Sequence, residues 1–436
     1  MKKTYFANGI IITCLLFFNA CDLNWGNNNG DPQHDADVIL RGTISENMTL
    51  YTDQDILLAG QTFVDSGVTL TIEAGAVIKA LPDDGEGLAP CLVIKRGAKI
   101  IAEGTQFNPI TFTSYLPDSE KKSGSWGGLI ILGKAPVNTT GGEAFVEGLV
   151  GIPYGGNDPA DDSGILKYVR VWYGGRSIGQ DNEINGITLA GVGNGTTVEY
   201  CEVAFNLDDG FEMFGGTVDL KYCSVLFVGD DAFDTDLGYQ GRGQFLFALM
   251  GSEDGNRAFE MDNDGSDMDK QPRSHPKFAN VTLIGSGDTS VVADDDAVIY
   301  LREGTGGDFR NIIITDGKQY GVQIVNAPTL ALITDTPGQD ANYLYWSPNN
   351  IIHNCKAGLF FSDYGMTAID TILVIGADGR ESGTSVQVLP APGGPAFQNV
   401  DIVIADDFFE QVDFKGAFGT ENWLTGWSWL YENNRF

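Results

Sequence analysis

Val198–Asp219 reads VEYCEVAFNLDDGFEMFGGTVD, and Leu220–Gly241, which follows without a gap, reads LKYCSVLFVGDDAFDTDLGYQG. Aligned at a shift of 22 residues, eight positions are identical: Tyr200/Tyr222, Cys201/Cys223, Val203/Val225, Phe205/Phe227, Asp208/Asp230, Asp209/Asp231, Phe211/Phe233 and Gly216/Gly238. A short self-similar period in a glycine-rich, β-branched chain marks a solenoid, in which each unit buries its apolar face against its neighbours. The period is too short for a pair of helices and suits one coil of a parallel β-helix.

The same grammar recurs along the chain: apolar, any, Tyr or Asn, apolar, any, apolar. It occurs as LKYVRV from Leu166, FANVTL from Phe278, FRNIII from Phe309 and FQNVDI from Phe397, with a weaker copy in PNNII from Pro348. A second strand follows most copies: GITL from Gly186, GFEMF from Gly210, AFDTD from Ala232, AFEMD from Ala258, AVIYL from Ala297, GVQIV from Gly321 and GLFF from Gly358. Short period-two apolar runs punctuated by Gly, Asp and Asn are strand signals. The Asn or Tyr between the apolar pairs fits a tight bend, because Asn tolerates left-handed backbone. Stacking would place Asn280, Asn311 and Asn399 in one ladder. On the order of 12–14 coils are expected, each rising about 4.8 Å.

The N-terminus predicts export. Lys2 and Lys3 precede an apolar core, Ile10–Phe18, too short to span a bilayer as a mature helix. Phe18-Asn19-Ala20-Cys21 resembles the lipobox of bacterial lipoproteins, departing from it at Phe18 and Asn19; cleavage by an ordinary signal peptidase is the alternative. The resemblance implies lipid on Cys21, with a signal over residues 1–20. The Asn-, Gly- and Asp-rich stretch that follows predicts a flexible tether over residues 21–37, and the β-helix domain then occupies residues 38–436. Trp423, Trp427, Trp429 and Tyr431 are expected to form an aromatic cap over the last coil, hiding its strand edge. Long polar segments, among them 150–164, 251–277, 329–350 and 377–395, read as loop insertions.

Gly67–Lys79 (GVTLTIEAGAVIK) and Gly97–Ser114 (GAKIIAEGTQFNPITFTS) resemble the first coils of bacterial right-handed parallel β-helix proteins. Asp208–Gly216, Gly229–Phe245 and Lys415–Trp427 resemble a group of exported β-helix proteins common in Bacteroidetes. The resemblance spans nearly all of the chain beyond its signal. It implies an all-β, right-handed parallel β-helix exported from the cell, and no single shared activity. With the lipobox it implies an outer-membrane lipoprotein facing outward.

The chain carries 59 acidic and 26 basic residues, a net charge of −33, which argues against nucleic-acid partners because these need a basic face. It favours divalent cations. Four cysteines lie beyond Cys21, namely Cys91, Cys201, Cys223 and Cys355, with no metal-binding Cys/His spacing. Cys201 and Cys223 hold the same site in successive coils and are expected as stacked buried thiols, a disulfide being the alternative.

Two functional classes follow. Inverting hydrolysis needs an acid and a base carboxylate about 6.5–9.5 Å apart, which Asp208, Asp209, Asp230 and Asp231 could supply. A lyase needs a basic residue, for which Lys221, Arg242 and Arg302 are candidates. The Gly-His-Gly and Arg-x-Lys motifs of polygalacturonase-like enzymes are missing, and three histidines form no nucleophilic triad. The favoured class is therefore a surface scaffold that binds polysaccharide or a surface protein, using Asp208, Asp209, Asp230, Asp231 and Arg242. Aligning GFEM, AFDT and AFEM puts Glu212, Asp234 and Glu260 in one outward-facing column. Like charges on adjacent strands repel, so compensation is expected from Arg257 at the neighbouring turn or from Ca2+, the alternative being a solvated acidic face whose repulsion is screened by water and salt. Asp262, Asp264 and Asp267 in DNDGSD have the alternation of a calcium loop without the closing Glu of an EF-hand.

Overall fold

The computed structural model describes residues 36–436 except 84, 86, 147, 148, 150, 177–183, 294, 295, 339, 356–366, 369–375, 379, 382, 384, 404 and 405. The signal, Cys21 and the strand expected at Gly358 lie outside the described residues. The repeat does what its period demands. Among the described residues, twenty-six strands join in one continuous sheet. Every pairing within it is parallel, and the antiparallel ladders are confined to two small hairpins, Ala144–Phe145 with Pro153–Tyr154 and Gly376–Asp378 with Ser385–Gln387. The chain is a parallel β-helix.

Three columns of strands run along it. The first stacks Leu129–Leu132, Ile187–Ala190, Phe211–Phe214, Phe233–Asp236, Phe259–Met261, Ala297–Leu301 and Tyr320–Ile324, in register at Ile187↔Phe211↔Phe233↔Phe259↔Ile299↔Val322. The second passes through Val198, Leu220, Gly243, Phe278 and Phe309. The third stacks twelve strands, from the start of Val38–Ile44 to Thr367–Ala368, the lower bound of the expected coil count. Inward side chains form one apolar core along all three, including Val198, Cys201, Phe211, Leu220, Cys223 and Phe233. Cys201 and Cys223 are free, buried thiols there.

The bend between the second and third columns is where the Tyr/Asn position acts. Tyr168, Tyr200, Tyr222, Phe245, Asn280 and Asn311 all sit at φ between 48° and 57°. Left-handed backbone costs an L-residue roughly 1–2 kcal/mol, and stacking offsets it. Ring centroids are 4.5 Å apart for Tyr168–Tyr200 and for Tyr200–Tyr222, and 4.7 Å for Tyr222–Phe245. Asn280 receives Gln244 and donates to the Phe414 carbonyl. Asn399 is not in the ladder: Phe397–Ile402 forms no strand, and Asn311 is instead clasped by the backbone of Asp401, which it both receives and donates to.

The C-terminal tryptophans do not cap the last coil. They cover the flank of middle coils, with Trp427 edge-on to Tyr168 and Tyr200, Trp423 edge-on to Tyr222, and Trp429 edge-on to Phe205 and Phe227. The physical reason lies in the third column. Its outward positions, including Ala204, Leu226, Phe247, Leu249, Ile284, Ile313 and Ile351, are apolar and form a second core with Val386, Val388, Ala396, Ala417, Phe418, Leu424, Trp427 and Leu430. A parallel sheet apolar on both faces must be covered on both. The C-terminal segment is that cover, secured by Arg170, which reaches the Trp427 carbonyl and Glu432, and by Glu202, which accepts the Trp429 N–H.

Candidate functional site

Strand alternation sends Phe211, Phe233 and Phe259 inward and Glu212, Asp234 and Glu260 outward from the first column. Phe211 and Phe233 stack at 5.4 Å. The three acids are in register, as the alignment of GFEM, AFDT and AFEM requires, with Thr188 before them and Tyr300 after. Beside this column runs a second one in the turn that leads into each strand. Asp209 accepts the Asp231 N–H at 2.9 Å, and Asp231 accepts the Arg257 N–H at 2.7 Å. Asn185 holds the equivalent turn position one coil earlier, since the next residue, Gly186, donates to the Asp209 carbonyl. The Asn185 amide donates to the Glu212 carboxylate.

The two columns converge. Ligand oxygens of Asp209, Glu212 and Asp234 lie within 4.8 Å of one another, as do those of Asp231, Asp234 and Glu260, and those of Asp208, Asp209 and Asp230. Three of these groups are largely removed from water, Asp231 being 2 % exposed, Glu260 6 % and Asp209 7 %, while Asp208, Glu212, Asp230 and Asp234 are half-buried. Burial above all, and then the neighbouring carboxylates, pushes the pKa values of Asp209, Asp231 and Asp234 well above the usual carboxylate range.

Arginines serve one end. Arg302 lies 3.3 Å from Glu260 and 2.8 Å from Asp262, and Arg257 lies 3.8 Å from Glu260 and 3.5 Å from Asp296. Both guanidinium groups stack on the Tyr300 ring. Arg257 thus compensates through Glu260 and Asp296, and its backbone N–H donates to Asp231.

The calcium-loop acids do not join the columns. Asp262 is gripped by the Arg302 Nε through both oxygens, at 2.9 and 2.8 Å. Asp264 closes a turn on the Ser266 and Asp267 amides and pairs with Lys270, which holds its carboxyl down at about 2. Asp267 receives the Asp269 amide. Arg242 also lies elsewhere. It sits on a strand of the second column, paired with Asp219 at 2.6 Å and Asp406 at 3.0 Å and packed on Phe408. Lys221 shares that patch through the Phe408 carbonyl and Glu410. Asn185 and Thr188 escape a reading of charged residues. The signal for Asn185 is Asn185-Gly186 standing where Asp209-Gly210 stands in the repeat.

No curated protein and no solved structure matches the chain. A family described as a pectate-lyase-like β-helix domain matches residues 42–385. That span is most of the chain and takes in all three columns and the acidic face, so the chain belongs to the pectate-lyase-like β-helix domain family.

Proposed function

We propose that this chain is a β-helix scaffold that binds polysaccharide without cleaving it, displayed on the outer membrane through lipid on Cys21. One observation carries the choice between binding and cleavage: of the carboxylates that converge, Asp209, Asp231 and Glu260 are buried, and the arginines beside Glu260 are engaged in ion pairs. Hydrolysis requires an acid and a base flanking the scissile bond of a bound sugar, and elimination requires a base free to take a proton. Neither is offered by groups removed from solvent. Membership of the pectate-lyase-like family supports polysaccharide as the ligand class. No helix among the described residues is long and apolar enough to cross a membrane.

The second reading, a lyase or glycoside hydrolase acting on acidic polysaccharide, draws on the meeting of Arg257, Arg302 and the acids on one face. One experiment separates the two. The pure chain is incubated with a panel of neutral and acidic polysaccharides, and both retention on the immobilised polymer and release of unsaturated or reducing ends are followed. Retention without new chain ends is expected; new ends would establish the enzyme, and neither retention nor cleavage would remove polysaccharide from the account. Cys21→Ser is expected to release the protein from the membrane fraction, and unchanged membrane association would defeat the lipid assignment.

A further inference from the structure

Packed carboxylates in the two acidic columns repel one another, and two arginines serve the Glu260 end. Arg257 and Arg302 bracket Glu260. Among the described residues no ion pair reaches Asp209 or Asp234, yet both carry neighbouring carboxylates within 4.8 Å. A second observation points to the same spot. Asp234 Oδ1, Asn185 Oδ1 and Thr188 Oγ1 are shut from solvent and have no hydrogen-bond partner among the described residues. Asn185 is 5 % exposed and Thr188 is fully buried. Asn185 touches Glu212 through its amide, and Thr188 is the register neighbour of Glu212. Buried polar atoms in folded proteins are almost always satisfied, so three orphan oxygens around one acidic triad indicate a missing electropositive partner.

We propose that Asp209, Glu212 and Asp234 bind a calcium ion, with Asn185 and Thr188 beside it as further oxygen donors. The donor set is all oxygen, which selects a hard cation and excludes the softer metals that favour thiolate and imidazole. Calcium–oxygen distances of about 2.4 Å let ligands of one ion lie up to about 4.8 Å apart, and the oxygens of the three carboxylates lie within 4.8 Å of one another. The neighbouring set of Asp231, Asp234 and Glu260 shares Asp234 but already has Arg257 and Arg302 at Glu260, so the ion is assigned to the Asp209, Glu212 and Asp234 set. The ion and the two arginines then form one alternating line of charge along three successive coils. The site stands independently of what the scaffold binds.

The test uses the full chain, stripped with EDTA and titrated with Ca2+ alone, by calorimetry and by melting. The melting temperature of the wild type is expected to rise with the logarithm of the Ca2+ concentration, as binding to the folded state alone requires. Asp234→Asn is expected to do two opposite things: lose the Ca2+ response, and melt above the wild type in EDTA because one of the packed charges is gone. Asp209→Asn carries the same expectation should the first variant not fold. Asp262→Asn, outside the triad, is expected to keep the response. No heat and no shift for the wild type at millimolar Ca2+ would overturn the proposal, as would a response that survives in both Asp234→Asn and Asp209→Asn.

Discussion

Replacing Glu202 by Gln tests how the C-terminal cover is fastened. Glu202 lies on Thr197–Ala204, is fully buried, and accepts three hydrogen bonds: from Trp172 Nε1 at 3.0 Å, from the Trp429 N–H at 2.8 Å and from Ser224 Oγ at 2.9 Å. Burial raises its pKa from the ordinary 4.5 to about 7, against the pull of those donors and of Arg170. Because the folded value is the higher one, the folded state holds a proton that the unfolded chain releases between pH 4.5 and about 7. The group's contribution is therefore fully present below pH 4.5 and is lost as the pH rises to about 7. A shift of about 2.5 units corresponds to about 3 kcal/mol, at about 1.4 kcal/mol per unit. Gln imitates the protonated acid: its oxygen keeps the Trp172 and Trp429 donors, and its amide can donate to Ser224 Oγ. Wild type and Glu202→Gln should thus be of similar stability near pH 4, with the variant ahead by up to about 3 kcal/mol near pH 8. Urea unfolding followed by tryptophan fluorescence, in EDTA at a series of pH values, measures the difference. A gap that is constant across that range, or that grows in favour of the wild type as the pH rises, would refute the reasoning.

Trp427→Ala empties a fully buried position against Tyr168, Tyr200 and Trp423 and should cost about 3–5 kcal/mol; limited proteolysis should then cut first within residues 386–436, and cutting elsewhere would place the cover's anchor at another residue. Asn280→Ala should destabilise by roughly 1–3 kcal/mol by forcing Ala into left-handed backbone and removing its hydrogen bonds with the Gln244 amide and the Phe414 carbonyl, while Asn280→Gly should recover the backbone part of that loss in a urea titration. Cys91, Cys201 and Cys223 should resist a neutral maleimide at pH 8 until the chain is unfolded, since all three are buried and burial lifts the Cys91 thiol to about 12 and the Cys201 thiol well above its usual range; labelling of the folded chain, counted by mass, would contradict the packing.

The architecture was legible because the repeat is a local signal. The shift of 22 residues, the period-two runs and the Tyr/Asn bends all follow from residues close in sequence, and each recurs until chance is excluded. Register followed too: once Tyr200 stands over Tyr222, Glu212 must stand beside Asp234, because alternation along a strand leaves no other choice. The signal is weaker where the chain leaves the period. FQNVDI from Phe397 carries the local grammar, yet it lies over the Asn311 bend as a loop. Its form depends on which coil it meets, and that is a long-range matter.

Sequence alone determined the solenoid, the inward stacks of Phe211/Phe233 and Cys201/Cys223, and the alignment of Glu212, Asp234 and Glu260. Only the tertiary structure decided what faces these elements from elsewhere in the chain. It brought the C-terminal tryptophans onto coils more than 200 residues earlier, where the third column's outward apolar positions needed cover. It sent Arg242 to Asp219 and Asp406, and it committed Arg302 to Glu260 and Asp262, leaving the Asp209–Asp234 end with buried, unsatisfied oxygens. Periodicity reports how a coil stacks on the next. It carries no information on how a loop folds back across the stack, because that contact is set by the shape and polarity of two surfaces that are remote in sequence.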